Sequence, residues 1–423
     1  MIGLTSLRFR RSIFRDLVII VLCAVLVRLI FFFMFDYQKD LHGGDSLYYL
    51  NTGKNIMEYG VHGLEMVGTF TRPPLYSFFA GFISSISETA AFFYFVQSIL
   101  TICFAAAVYF LLSQYGSKLS FVSALLIAVS PFDVLMNGRV LSENLTTPLF
   151  VLGSLVFVNL NNSKVKFFIS GALLGGAALS RDIYLLFPIM LLVAGSLMRI
   201  SWRHLACFTL GFALLISPWA YRNSQLPDGG IFLSKGILWM NLWIGVWERN
   251  ADWTRAPNAY VPPIEALETY DGGNSPAIVL DAFSKSDEYF FRRVTIDYVR
   301  DQPLKVIYAW IARYPLLWFG TRSDLNSSYL TRGGLTWYFM KAVFYLMNAA
   351  VVVFAFLGIF VALRSRKIPL LLCLPVIYNA AIYIPLHNVE TRYSLPVMPI
   401  LTIYLCFFFL YARERKAPGR PLD

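Results

Sequence analysis

The sequence has 423 residues, of which 57% are hydrophobic and only 14% charged, with 36 basic against 25 acidic side chains and a mean hydropathy of +0.59. Soluble domains average about 45–50% apolar and ~25% charged residues. The contrast excludes a soluble cytosolic enzyme, a disordered chain and a nucleic-acid-binding module, and it leaves a protein that crosses a membrane many times.

Ten apolar runs follow one another along the chain, at 17–35, 91–112, 119–136, 144–160, 165–180, 183–199, 204–220, 336–363, 368–386 and 395–412. A helix needs about 20 apolar residues to cross ~30 Å of hydrocarbon, so several of these runs are short for the task. If the N-terminus lies inside, the inner segments hold sixteen Lys and Arg (among them Arg8, Arg15, Lys118, Lys164, Arg199, Arg203, Lys367 and Arg413) against three acids, Asp16, Glu414 and Asp423. The basic excess is then the positive-inside bias that orients spans in a membrane. The first run is long, follows an Arg-rich stretch and lacks a small-residue cleavage site, which predicts a retained helix. The five cysteines, at 23, 103, 207, 373 and 406, all fall in apolar runs with no paired spacing. They read as small buried hydrophobes and not as disulfides or metal ligands.

The expected fold is therefore an all-α integral membrane protein, a bundle of about ten transmembrane helices. Residues 1–220 form an N-terminal transmembrane module whose first outer loop is 36–90. Residues 221–335 form a long late outer loop, and 336–423 return as C-terminal transmembrane helices. Loops this long are usually functional. Within the late loop, 284–319 reads as two short helices broken at Pro303, with Phe, Tyr, Ile and Trp suited to an interfacial layer. Both loops contribute juxtamembrane helices.

The chemistry-bearing residues gather on the outer side. In HGGDSLYYLNTGKNIMEYG, Gly43 and Gly44 free the backbone before Asp45, and a helix-like stretch at 46–59 follows. An Asp there serves either as a helix cap or as a carboxylate facing a cavity; Lys54 shares the stretch. Arg72-Pro73-Pro74 sets an extended turn into a second short helix, since Pro is favourable at a helix start. Arg geometry there suits a headgroup or a phosphate. Arg139 and Glu143 (NGRVLSENL), Arg181 and Asp182 (LSRDIY), and His387, Glu390 and Arg392 (HNVETRYSLP) occupy further span ends on the same side. Singly these are ordinary span-end or snorkelling charges. Together, acids and arginines on one membrane face are what an anionic lipid-linked substrate requires. Arg28, in mid-span, is expected to find an internal partner.

These segments resemble the GT-C fold membrane glycosyltransferases that use polyprenyl-phosphate sugars. Within that class the resemblance is to the bacterial members of the protein-O-mannosyltransferase and aminoarabinose-transferase superfamily. It rests on GGDSLYYLNTGKNIMEYG, TRPPLYSFFAG, RVLSENL, ALSRDIYLLFP, SPWAYRN, LSKGILWMNLWIG, SDEYFFRRVTIDYVRDQPLKVIYAWIARYPLLWFG and HNVETRYSLPVMPIL, in that order over nearly the whole chain. The resemblance implies a glycosyltransferase that takes its sugar from a polyprenyl-phosphate carrier. It leaves the acceptor open among glycan, lipid, polysaccharide and protein, and the expected site faces outward from a bacterial inner membrane, in cell-envelope glycan biosynthesis. It implies Asp45 as general base and Glu143 as a second acid. Arg181 and Arg392 fall near the lipid phosphate, with Lys54, Arg72, Arg139, His387 and Glu390 as further binding residues. Many protein mannosyltransferases carry two adjacent acids in the first loop; here Ser46 follows Asp45, which weakens protein as the acceptor. No cofactor is required. A divalent cation on His42, Asp45, His62 and Glu65 is the minor alternative, because their spacing matches no established site.

A single inverting displacement follows from the chemistry: a departing polyprenyl phosphate is already a stable anion, so one base suffices where glycosidases need two carboxylates. A polysaccharide ligase or polymerase using a polyprenyl-linked donor is the alternative, and it would rest on His387 or on arginines of the late loop. A transporter would show broken helices at matching places in two halves, and none is visible.

Overall fold

The computed structural model describes residues 2–35, 37, 44–62, 72–159, 163–226, 230, 231, 233, 234, 238–247, 288–319, 334–365, 367–386 and 391–416. Among these residues the only regular structure is helical. In chain order the α-helices are α1 (Ile2–Met34), α2 (Gly44–Tyr59), α3 (Leu75–Ile86), α4 (Ala90–Leu112), α5 (Ser117–Ala128), α6 (Pro131–Met136), α7 (Glu143–Val158) and α8 (Lys164–Ser180). Then follow α9 (Phe187–Leu197), α10 (Trp202–Ser224), α11 (Leu238–Trp247), α12 (Glu288–Asp301), α13 (Pro303–Phe319), α14 (Leu335–Ser365), α15 (Leu374–Tyr383) and α16 (Met398–Lys416).

Each of the ten apolar runs forms helix. Among the described residues six helical stretches are long and apolar enough to cross a membrane: Ser12–Met34, Ala90–Tyr115, Ser117–Met136, Trp202–Ser224, Tyr338–Ser365 and Arg392–Arg413. The runs at 144–160, 165–180, 183–199 and 368–386 give the shorter helices α7, α8, α9 and α15. At ~1.5 Å per residue, a helix of about 16 residues reaches ~24 Å, short of the hydrocarbon thickness. The chain is an integral membrane protein, and its exposed apolar side chains agree: Leu22, Leu26 and Phe33 on α1, Leu210 on α10, and Leu346, Phe360 and Leu363 on α14 all face outward. The five cysteines are free.

Local punctuation follows the sequence. Thr89 caps α4 by accepting from the Phe92 N–H, Ser130 caps α6 from Asp133, and Ser163 caps α8 from Lys166, each satisfying an otherwise orphaned first-turn donor. Pro303 separates α12 from α13 at Gln302, because proline favours a helix start and cannot continue one. Residues 248–287 and 320–333 of the late loop lie outside the described residues.

Two cores matter for the site. The larger joins α4, α5, α7, α8, α14 and α16 and includes Phe150, Phe157, Phe187, Trp318 and Tyr404. A second, under α2 and α3, comprises Tyr49, Tyr76, Phe93, Tyr94, Phe132, Val140 and Leu395 among others. It is held by a backbone-to-backbone approach of α2 and α3: a Cβ on Gly53 would lie 2.6 Å from the Gly81 nitrogen, and one on Gly81 would lie 2.5 Å from the Gly53 oxygen. Two glycines facing each other thus set the height of α2, and α2 carries Asp45. Arg28, as expected, is turned inward: it is 3% exposed, with Nη1 donating to the carbonyls of Ala24 and Ala128 at 3.1 and 2.7 Å.

Candidate active site

Asp45 sits in the first turn of α2, inside the helix and not at its cap, so the capping role open to it in the sequence is not the one it takes. A carboxylate in a first helical turn is stabilised by the helix dipole, and both of its oxygens are engaged elsewhere. Arg72 Nη2 lies 2.7 Å from Oδ1 and Arg392 Nη1 lies 3.5 Å from Oδ2. Arg72 is delivered by the turn before Pro73-Pro74. It is steadied by Tyr49, whose hydroxyl accepts from Nη1 at 3.3 Å, and by the ring of Tyr48 at 4.7 Å. Arg392 belongs to the 3₁₀ segment Thr391–Val397, and its Nη2 donates to the Tyr393 hydroxyl at 3.1 Å.

Behind this open pair lies a closed one. Arg181 ends α8 as its C-cap, and Glu143 opens α7. Arg181 Nη1 and Glu143 Oε1 are 2.5 Å apart. The Arg181 guanidinium also sits over the rings of Tyr393 and Tyr383, at 5.3 and 5.9 Å, and those rings stack at 4.8 Å and 8°. Tyr184 donates to Asn379 Oδ1 at 3.0 Å, and Asn379 Nδ2 donates to the Tyr393 carbonyl at 3.0 Å. Hydrogen bonds thus tie the segment after α8 to the 3₁₀ segment that carries Arg392.

The loop between α6 and α7 is pinned from below. Tyr76 donates to Gln97 Oε1 at 2.9 Å, and Gln97 Nε2 donates to the carbonyls of Asn137 and Arg139 at 2.9 and 3.0 Å. Asn144 Nδ2 reaches the Met136 and Arg139 carbonyls at 2.9 Å. Every group in this network is buried or half-buried, so its satisfaction makes the loop rigid.

Burial pushes the Asp45 carboxyl up, but the charges of Arg72 and Arg392, the Arg72 hydrogen bond and the nearby charge of Arg181 outweigh it. The group is held below the usual carboxylate range. Asp45 is therefore ionised at neutral pH, and four residues from four distant segments, Asp45, Arg72, Arg181 and Arg392, share one electrostatic field.

Other expectations fare differently. Lys54, nine residues along α2, pairs with Glu88 at 2.8 Å and points away from Asp45's partners. Arg139 contributes its backbone carbonyl to the network. Glu143, one of the two candidate catalytic acids, is 4% exposed and stands behind the cations, not in front of them. His387 and Glu390 lie outside the described residues, as do His42 and Glu65 of the alternative metal set. His62 is buried edge-on against Trp219 at 5.0 Å. Among the described residues no three His, Cys, Asp or Glu converge, and the oxygens of Asp45 face guanidinium groups, a surrounding that does not suit a divalent cation. Sequence inspection missed Tyr48, Tyr49, Tyr383, Tyr393, Gln97 and Asn144. The YY pair after Asp45 and the RY pair at 392–393 were visible signals for three of them, Tyr48, Tyr49 and Tyr393.

Comparison with known proteins adds a family match over part of the chain and a likeness of fold. Residues 71–221, just over a third of the chain, match the family described as dolichyl-phosphate-mannose-protein mannosyltransferase. Among proteins of curated function none is similar enough to register. The oligosaccharyltransferase of Archaeoglobus fulgidus in its apo form superposes with a TM-score of 0.53 at 15% identity, over 97% of this chain and 53% of its own. The same organism's AglB with an inhibitory peptide and a dolichol-phosphate gives 0.51 at 16%, over 97% and 52%. ArnT of Cupriavidus metallidurans bound to undecaprenyl phosphate is a weaker likeness, 0.42 at 14%, over 94% and 78%. The chain thus spans about half the length of the oligosaccharyltransferase and shares its GT-C type membrane-helix fold.

Proposed function

We propose that the protein is a GT-C type membrane glycosyltransferase that moves a sugar from a polyprenyl-phosphate carrier to an acceptor hydroxyl on the outer face of a bacterial inner membrane. The observation that carries this function is the convergence of one ionised carboxylate, Asp45, with Arg72 and Arg392 from segments about 320 residues apart, with Arg181 close enough to act on the same carboxylate. The family match over 71–221 covers Arg72 and Arg181 and supports the same class.

Chemically, the arginines suit the phosphate of the donor. Their guanidinium groups stabilise charge that builds on the phosphate as the anomeric C–O bond breaks. Because that leaving group needs no proton, a weak base serves. Asp45 takes the acceptor proton late in the displacement, as the new C–O bond forms. Phosphate oxygens compete with Asp45 for Arg72 and Arg392, and losing those partners raises the basicity of the carboxylate when a base is needed. Attack from the face opposite the phosphate inverts the anomeric centre. Glu143 acts as a positioning residue: buried and paired, it holds Arg181 against the tyrosines. No metal enters the scheme.

The test is mass spectrometry of polyprenyl-linked lipids and surface glycans in cells lacking the gene, complemented with wild type or Asp45→Asn. The expected result is accumulation of one polyprenyl-phosphate monosaccharide and loss of that sugar from one glycan, both restored by wild type alone. Its mass assigns a hexose or a pentose. Unchanged lipids and glycans, or full complementation by Asp45→Asn, would overturn the function, and retention of configuration in the product would overturn the single displacement.

A further inference from the structure

The short helix α15 stands between the two segments that carry Arg181 and Arg392, and its side chains reach both. Toward the segment after α8, the Tyr378 hydroxyl donates to the Ile183 carbonyl, and Asn379 Oδ1 accepts from the Tyr184 hydroxyl at 3.0 Å. Toward the 3₁₀ segment Thr391–Val397, Asn379 Nδ2 donates to the Tyr393 carbonyl at 3.0 Å, and the Tyr383 ring stacks on that of Tyr393. Asn379 and Tyr383 are four residues apart on α15, so they share one face of the helix.

These contacts converge on Tyr393. Its hydroxyl accepts from Arg392 Nη2 at 3.1 Å, and its ring lies under the Arg181 guanidinium at 5.3 Å. One side chain thus touches both arginines, and the placement of its backbone governs where they stand relative to each other. Asn379 holds that backbone. It is 0% exposed, a place where an unpaired amide is costly. A carbonyl can only accept, so the amide turns its NH₂ to Tyr393 and its oxygen to the Tyr184 hydroxyl. The chain of bonds therefore has one polarity. An apolar side chain of similar size cannot make it, and an ionised carboxylate cannot donate to Tyr393.

We propose that Asn379 is a positioning residue for the donor phosphate: through Tyr393 it sets Arg392 against Arg181, so that both guanidinium groups close on the same phosphate. This role rests on the proposed function, which assigns the phosphate to these arginines, and adds to it the residue that makes them act together. Asn379 itself touches no substrate. Its effect is large because a binding group displaced by about 1 Å can cost about 10²-fold in rate.

The experiment uses the purified full chain in phosphatidylcholine nanodiscs, titrated with undecaprenyl phosphate. Binding is read by native mass spectrometry, and the thermal midpoint records folding. Asn379→Leu is expected to weaken undecaprenyl phosphate about tenfold, the size of coupling within one hydrogen-bond network. In an Arg392→Ala background the same substitution is expected to cost no more than about twofold further, because the group it positions is gone. Tyr184→Phe removes one hydroxyl and leaves the amide in place, which keeps the test decisive if Asn379→Leu misfolds. It is expected to give a smaller loss in the same sense, again absent without Arg392. Wild-type affinity in Asn379→Leu, even with a lowered midpoint, overturns the proposal and leaves Asn379 as a link between helices. An equal loss with and without Arg392 overturns it too, since the effect would not pass through that arginine. Failure of the wild type to bind undecaprenyl phosphate overturns the proposed function together with this role, and so is told apart from a failure at Asn379 alone.

Discussion

Asp45 and Glu143 are both carboxylates held by arginine, yet they are held differently. The Asp45 side chain keeps 31% of its exposure and shares two arginines at 2.7 and 3.5 Å, whereas Glu143 keeps 5% and has one at 2.5 Å under a roof of tyrosines. A half-exposed carboxylate can exchange its partners for those of a substrate at little cost. A buried one cannot, because removing its partner strands a charge in a poorly solvated place. In the proposed function, that difference separates a group placed to react from one placed to hold another in position.

Breaking the buried pair is expected to have the largest effect on the fold. Arg181→Ala should destabilise the protein by about 3–5 kcal/mol, measured as a lowered thermal midpoint in detergent or nanodiscs. Adding Glu143→Gln to it should recover part of that loss. If Arg181→Ala is as stable as wild type, the two pairs do not differ in the way described. Asp45→Asn should leave the midpoint within a few degrees and reduce transferase activity by about 10²–10⁴-fold; a large loss of stability instead would make Asp45 structural. Gly53→Ala inserts a methyl where Gly81 and Ser77 backbone atoms already crowd. It should cost about 1–3 kcal/mol and lower kcat more than it raises KM, by lifting Asp45 away from Arg392.

The open pair also has a pH signature. The Asp45 carboxyl is held below its free value, so its ion-pair contribution is complete above the unfolded value of about 3.9 and fades only as pH falls through the lower folded one. Arg72→Ala removes the nearer cation and should move the acid limb of kcat/KM toward neutral pH. An unmoved limb would mean that Arg72 does not set the charge of Asp45. The smallest effect is expected at Lys54–Glu88, with side chains 40% and 64% exposed. Lys54→Gln should alter activity by no more than about twofold, as exposed pairs contribute little.

Much of the scaffold was legible in the chain. Each apolar run became helix, Pro303 split the late-loop pair, and Arg28 found internal carbonyls. The site was legible only in part. Asp45, Arg72, Arg181 and Arg392 stood out because charges at span ends on one membrane face are few. Glu143 was visible as an acid but not as a buried one, since burial depends on how α7 packs in the bundle and on the Arg181 that ends α8. Lys54 looked equivalent to Arg72 because both follow Asp45 closely, yet a helix carries Lys54 away while the Pro73-Pro74 turn brings Arg72 back. Gln97 and Asn144 gave no signal, as their partners are backbone carbonyls that any sequence supplies.

The division has a physical cause. Hydropathy and charge asymmetry act along the chain, through partition into lipid and the preference of basic residues for one face, and they determine which segments become membrane helices and which side they present. Pairing acts across space. Whether a carboxylate meets a guanidinium at 2.7 Å or a lysine points outward is decided by the Gly53–Gly81 approach, the turn at Arg72 and the docking of residues 391–397 on α7, α13 and α15. In this protein the sequence alone determined a helical membrane bundle with a basic excess on one side and the candidate site charges on the other. Only the tertiary structure decided that Asp45 stands between two arginines and Glu143 stands behind a third.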